Sequence, residues 1–94
     1  MVIGRLIFRI HALQRMSQRS ISPADIRSAL ERAEVIEEYP DDEPFASCLV
    51  LGWCGKRPFH IVFAHKHDTS ETIIITVYEP DTTKWQSGFR RRKK

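Results

Sequence analysis

Two cysteines in 94 residues, Cys48 and Cys54, are too few to make a disulfide framework. They lie six apart with no C-x-x-C pair, so a small buried residue at Cys48 and a free thiol near a turn at Cys54 account for both. Paired metal-ligand spacing is missing too. Structural zinc wants four ligands, and His65-x-His67 stands without a second pair, so no metal and no cofactor is expected. No apolar run approaches the roughly 18–20 residues that cross a bilayer, and no membrane association is expected. The stretch Met1 to Ile10 carries Arg5 and Arg9 and lacks a small-residue cleavage site. That argues against a signal peptide and points to the cytoplasm. No internal repeat is visible, and low complexity is confined to the basic run at the end.

What is present suits one domain. Hydrophobic residues make up 41% of the chain, enough for one core but not for two. We therefore expect a single α+β domain over residues 1–89 and a basic tail over 90–94. The net charge of +3 hides a strong asymmetry. Residues 1–33 carry six Arg against Asp25 and Glu31, a balance of +4. Residues 34–81 carry ten acids against Lys56, Arg57 and Lys66, a balance of −7. Residues 82–94 add +6 through Lys84 and Arg90-Arg91-Arg92-Lys93-Lys94. The ends of such a chain can meet a polyanion that its middle repels.

Residues 2–8 can form a short strand, weakened by Gly4. A first helix is predicted from about Ile10 to Gln18, with Ala12, Leu13 and Met16 on its core side. His11, Gln14, Arg15, Gln18 and Arg19 fall on the other side. For the second helix Ser22 is the N-cap, Pro23 the first helical residue and Asp25 the partner in a capping box; Ile21 and Ile26 form a hydrophobic staple. Strands follow at Val35–Tyr39, Phe45–Trp53, Arg57–His65 and Thr72–Glu79. In the last, alternation puts Ile73, Ile75 and Val77 on one face and Ile74, Thr76 and Tyr78 on the other. Short turns make an antiparallel meander the economical topology.

Two elements carry a family resemblance. His11-Ala12-Leu13-Gln14-Arg15-Met16, with Arg19 and Ile21, gives H-A-x-x-R-M; Tyr78-Glu79-Pro80-Asp81 with Lys84-Trp85 gives Y-x-P-D-x-x-x-W. Over about residues 9 to 92 the chain resembles a family of small bacterial domains catalogued as a domain of unknown function. Its members are often encoded beside antitoxin-like proteins, including zinc-finger ones, and the family is distantly similar to RelE-type toxins. The resemblance implies two N-terminal helices packed on a three- to four-stranded antiparallel sheet. It also implies metal-independent RNA cleavage, alone or on the ribosome, and neutralisation by an antitoxin encoded by a neighbouring gene. It supplies no catalytic residue set.

Metal-free RNA cleavage needs a base for the 2′-hydroxyl, an acid for the departing 5′-oxygen and cations for the phosphorane. His11 can act as base or acid, Arg15 one helical turn on can grip a phosphate, and Arg19 extends the row. His60 and Tyr78, on strands expected to be neighbours, can flank the same substrate, with Arg91 or Arg92 assisting. Lys84, Trp85, Arg90, Arg91 and Arg92 form a second group, in which the indole stacks a base beside phosphate-binding cations. Each has a plainer reading: a solvated helix face, a satisfied core histidine and tyrosine, a tryptophan closing a small core, and a solvated tail. A non-catalytic module that binds RNA or an acidic partner through its ends, or docks a protein on a strand edge, is the alternative function.

Overall fold

The structure is a computed structural model that describes residues 3–92. Val2 of the predicted first strand and Lys93 and Lys94 of the tail lie outside those residues. The elements run β1 (Arg5–Phe8), α1 (Ile10–Gln18), α2 (Pro23–Leu30), β2 (Glu34–Tyr39), β3 (Ser47–Cys54), β4 (Arg57–Lys66) and β5 (Glu71–Tyr78).

Local chemistry sets the two helices. Beyond the Arg19 C-cap of α1, Ser20 takes a left-handed conformation (φ 54°). Ile21 N–H then donates to the Met16 carbonyl at 2.8 Å, the closing bond of a Schellman turn. The next helix starts at once: Asp25 N–H donates to Ser22 Oγ (3.1 Å) and Ser22 N–H to Asp25 Oδ2 (2.9 Å). Ile21 and Ile26, on either side of that cap, are both buried. Arg57, reaching from β4, donates to the Arg19 carbonyl (3.0 Å) and pairs with Glu79 (2.6 Å), so the end of α1 is tied to the end of β5.

The sheet differs from the expected one. It has five strands in the order β1-β5-β4-β3-β2 and is mixed: β2 to β5 form the antiparallel meander, while β1 runs parallel to β5. A three- to four-stranded, purely antiparallel sheet is therefore incorrect. The pairing of Arg5–Phe8 with Glu71–Ile74 joins segments from opposite ends of the chain, and no turn signal announces such a contact. A second difference lies inside β5. Thr76 pairs with Val62 and Ile74 with Phe63, so Ile75 is an inserted residue, a β-bulge. The insertion reverses the alternation, and Ile74 and Val77 both enter the core cluster rather than lying on opposite faces.

The helices cover one face of the sheet, where Ala12, Met16, Ile26, Ala29 and Leu30 meet Val50, Phe59, Ile61, Phe63, Ile74 and Val77. Leu13, expected on the core side, is 47% exposed, because α1 rests on β5 along only a narrow stripe. The opposite face buries Leu49, Leu51 and His60, and the segment that follows β5 covers His60 with Trp85, which is itself buried.

Gly52 is where α2 and β3 come closest. A Cβ there would stand 2.3 Å from the Ala29 carbonyl oxygen, a backbone atom that cannot swing away. Gly52→Ala is expected to lower stability by about 2–3 kcal/mol through this overpacking, read as a lower urea midpoint at unchanged m-value.

Candidate functional site

The early end of β1 creates the site. Its pairing with β5 stops at Phe8–Ile74, Arg9 N–H closes it with a 2.9 Å bond to the Ile74 carbonyl, and the chain then turns into α1. From Ile75 to Tyr78, β5 has no strand beside it on that side among the described residues. The polar flank of α1 lies along this open edge. From the other side comes the segment after β5. The Asp81 carboxylate accepts from the Thr83 N–H and hydroxyl (both 2.8 Å), and its carbonyl accepts from the N–H groups of Lys84 and Trp85 (both 3.0 Å). This turn carries Lys84 and Trp85 back toward β5.

The result is a cleft of ≈380 Å³ in which Arg15 and Arg19 of α1 face Tyr78, Lys84, Trp85 and Arg92. Glu79 and Asp81 complete its lining. Glu79 is engaged by Arg57, and that ion pair raises the Arg57 pKa. Beside the cleft lies a second opening, to which His11 and Arg15 both contribute.

Arg92 is held in place by Trp85 and by an acid of β2 that was not among the candidate site residues. Its guanidinium lies 5.2 Å from the centroid of the Trp85 ring and 3.6 Å from the Glu37 carboxylate. Glu37 also accepts a 2.7 Å bond from the Tyr39 hydroxyl. Burial, reinforced by that carboxylate, pushes the Tyr39 pKa up to about 12. The signal available was the i, i+2 spacing of Glu37 and Tyr39 on β2, which puts both on the face crossed by the C-terminal segment. Nothing in the sequence marks Arg57 as the clamp on α1.

His60 lies beneath the cleft. It is fully buried, and neither opening is lined by it. Its Nε2 is 2.8 Å from the Phe89 carbonyl, which can only accept, so Nε2 carries the proton. In the neutral ring Nδ1 is then the acceptor for the Tyr78 hydroxyl at 3.1 Å. The Trp85 ring meets His60 edge-on at 4.2 Å. Burial lowers the His60 pKa and raises that of Tyr78, so both are neutral at pH 7.

Of the predicted residues, the fold thus brings Arg15, Arg19, Tyr78, Lys84, Trp85 and Arg92 together, with His11 one opening away. Trp85 is 5% exposed and has no free face on which a base could stack. Arg90 is drawn off to Glu34 by two bonds of 2.7 and 2.9 Å. Arg91 is exposed and lines neither opening; its carbonyl accepts from Gln86 N–H (2.8 Å). Among the described residues, no group of three or more His, Cys, Asp or Glu is placed to hold a metal ion. No helix there is long and apolar enough to cross a membrane.

The His60 environment makes stability depend on pH. Its folded pKa lies below the ordinary value of 6.5, so between the two the unfolded chain binds more protons than the folded one. Stability is expected to be level above that value, to fall as pH drops through 6.5, and to keep falling until the folded pKa is passed. Urea midpoints measured from pH 8 to pH 5 test this, and His60→Gln should flatten that part of the profile.

A family model described as Domain of unknown function (DUF4258) matches residues 8–79, from the last residue of β1 to just past β5. No curated protein matches the chain, and no solved structure does.

Proposed function

We propose that this chain, which belongs to the DUF4258 family of domains of unknown function, is a metal-independent endoribonuclease of the toxin kind that works in the cleft beside β5. One observation carries the reading: Arg15, Arg19, Lys84 and Arg92 surround Tyr78 in a single opening. Four cations, of which Arg92 is shared with Glu37, against two lining carboxylates make a site for a phosphodiester. The cations come from a helix and from a separate C-terminal segment, which is how a fold grips one anion from opposite sides.

In this reading the scissile phosphate lies among the four cations, which offset the charge that grows on its oxygens. His11, reached across Arg15, takes the proton of the 2′-hydroxyl as the 2′-oxygen attacks phosphorus. The bond from phosphorus to the 5′-oxygen breaks, leaving a 2′,3′-cyclic phosphate and a 5′-hydroxyl. Tyr78, kept protonated by burial, swings its O–H from His60 to the departing oxygen and is reprotonated by water. The resemblance to RelE-type toxins adds a partner, an antitoxin-like protein that occludes the cleft. A second reading draws on the same hydroxyl: with its proton committed to His60, the cleft binds RNA without cutting it.

Two experiments separate these readings. Purified protein in EDTA should cut single-stranded RNA and leave cyclic phosphate ends, with a 2′-deoxy linkage resistant. His11→Ala together with Arg15→Ala should slow cutting by at least about 100-fold, and cutting at the wild-type rate by that double variant would reject the assignment. Binding without scission would favour the second reading. In either case replacing Arg15, Arg19, Lys84 or Arg92 by Ala should lower the slope of log affinity against log salt by about 1 each.

A further inference from the structure

The opening that adjoins the cleft has a different chemistry. It encloses ≈590 Å³ and is lined by His11, Gln14, Arg15, Gln18, Ile75 and Thr76. No carboxylate lines it, and Arg15 is the residue it shares with the phosphate cleft. Gln14 and Gln18 stand one helical turn apart on α1, so their two primary amides face the same space. Each amide offers donors and an acceptor side by side, the complement of a nucleobase edge rather than of a phosphate. The Thr76 hydroxyl adds a third group able to donate or accept.

Ile75 supplies an apolar surface. It is the inserted residue of the β5 bulge, without a partner on β4, and it is only half-buried although its neighbours Ile73 and Ile74 are buried. Bulges re-aim side chains in this way, and here the re-aimed side chain lines the opening. A planar ring can lie on Ile75 with its polar edge toward the amides. The phosphate cleft gives a base no such support, because of its two rings Trp85 is buried beneath Arg92 and Tyr78 is half-buried and packed edge-on against His60. Phosphate and base are therefore sorted to the two sides of Arg15.

We infer that this groove is a nucleobase-reading subsite for the nucleotide next to the phosphate held in the cleft, with Gln14, Gln18 and Thr76 reading its edge and Ile75 supporting its face. The base edge must be free of a complementary strand to enter, so the ligand is single-stranded at that nucleotide. The inference rests on the phosphodiester reading of the cleft, and its test separates the two.

The test is fluorescence anisotropy with short 2′-O-methyl oligoribonucleotides, which cannot be cut at the 2′-oxygen. They are identical except for one position that carries each of the four bases or none. At one position the wild-type protein should separate the best base from the worst by about tenfold, and the abasic strand should bind like the worst. Gln14→Leu combined with Gln18→Leu should compress that range to about twofold, whereas Lys56→Ala, in the β3–β4 turn and lining neither opening, should preserve it. Wild-type binding with no base preference at any position would overturn the inference, as would an undiminished preference in the double glutamine variant. Both results would leave the phosphate cleft standing. A wild-type protein that binds none of the strands would overturn the cleft and the subsite together.

Discussion

The imidazole of His60 is the interaction on which the rest of the molecule depends. It is fully buried, yet both ring nitrogens are satisfied, one by the Phe89 carbonyl and the other by the Tyr78 hydroxyl. A buried polar ring with a lost partner would be costly, so the C-terminal segment is held to the sheet by the need to complete that pair of bonds. Trp85 then closes over the ring, Arg92 lies on Trp85, and Glu37 with Tyr39 fixes Arg92 from the sheet. Without His60 the second wall of the cleft would keep only its exposed ion pairs, Arg90 with Glu34 and Arg92 with Glu37, and lose its buried attachment. Its contribution is positional, and the same burial that makes it a good anchor keeps it neutral.

The other wall depends on where β1 ends. Because the parallel pairing reaches only Ile74, the last half of β5 is left for a helix rather than a strand. A helix lying along a strand edge turns one flank toward the gap, and on α1 that flank carries His11, Arg15 and Arg19. Arg57 holds the helix end by bonding the carbonyls of Arg19 and Ser20, just past α1, and the carboxylate of Glu79. The bulge at Ile75 falls in this same half-strand, where the sheet is not constrained by a neighbour on both sides. Cleft and adjoining groove both follow from one short strand, and the bulge falls where they open.

Much of this was readable in the residues. The bounds of α1 match the predicted ones, and the Ser22/Asp25 cap of α2 is formed by local contacts of the kind that sequence encodes directly. The four meander strands fall within about two residues of their expected limits, as boundary readings usually do. The candidate site was legible in part: Arg15 and Arg19 come from helical spacing, Tyr78, Lys84 and Trp85 from the Y-x-P-D-x-x-x-W stretch. Glu37 was not, because an acid in an acidic segment looks like solvated surface until its arginine is known. The fate of the tail arginines was equally hidden. Arg90, Arg91 and Arg92 are adjacent and chemically identical, yet one binds Glu34, one lines neither opening and one lines the cleft.

The sequence by itself determined the helices, their caps, the antiparallel meander and the separation of basic ends from an acidic middle. These follow from periodicity, turn chemistry and composition, which act over a few residues. Tertiary structure alone decided that residues 5–8 pair with residues 71–74, that an extra residue interrupts β5, and that His60 lies beneath Trp85. Each joins atoms far apart along the chain or depends on the whole register of a strand. No local pattern records such contacts, because their free energy exists only when the distant surfaces meet.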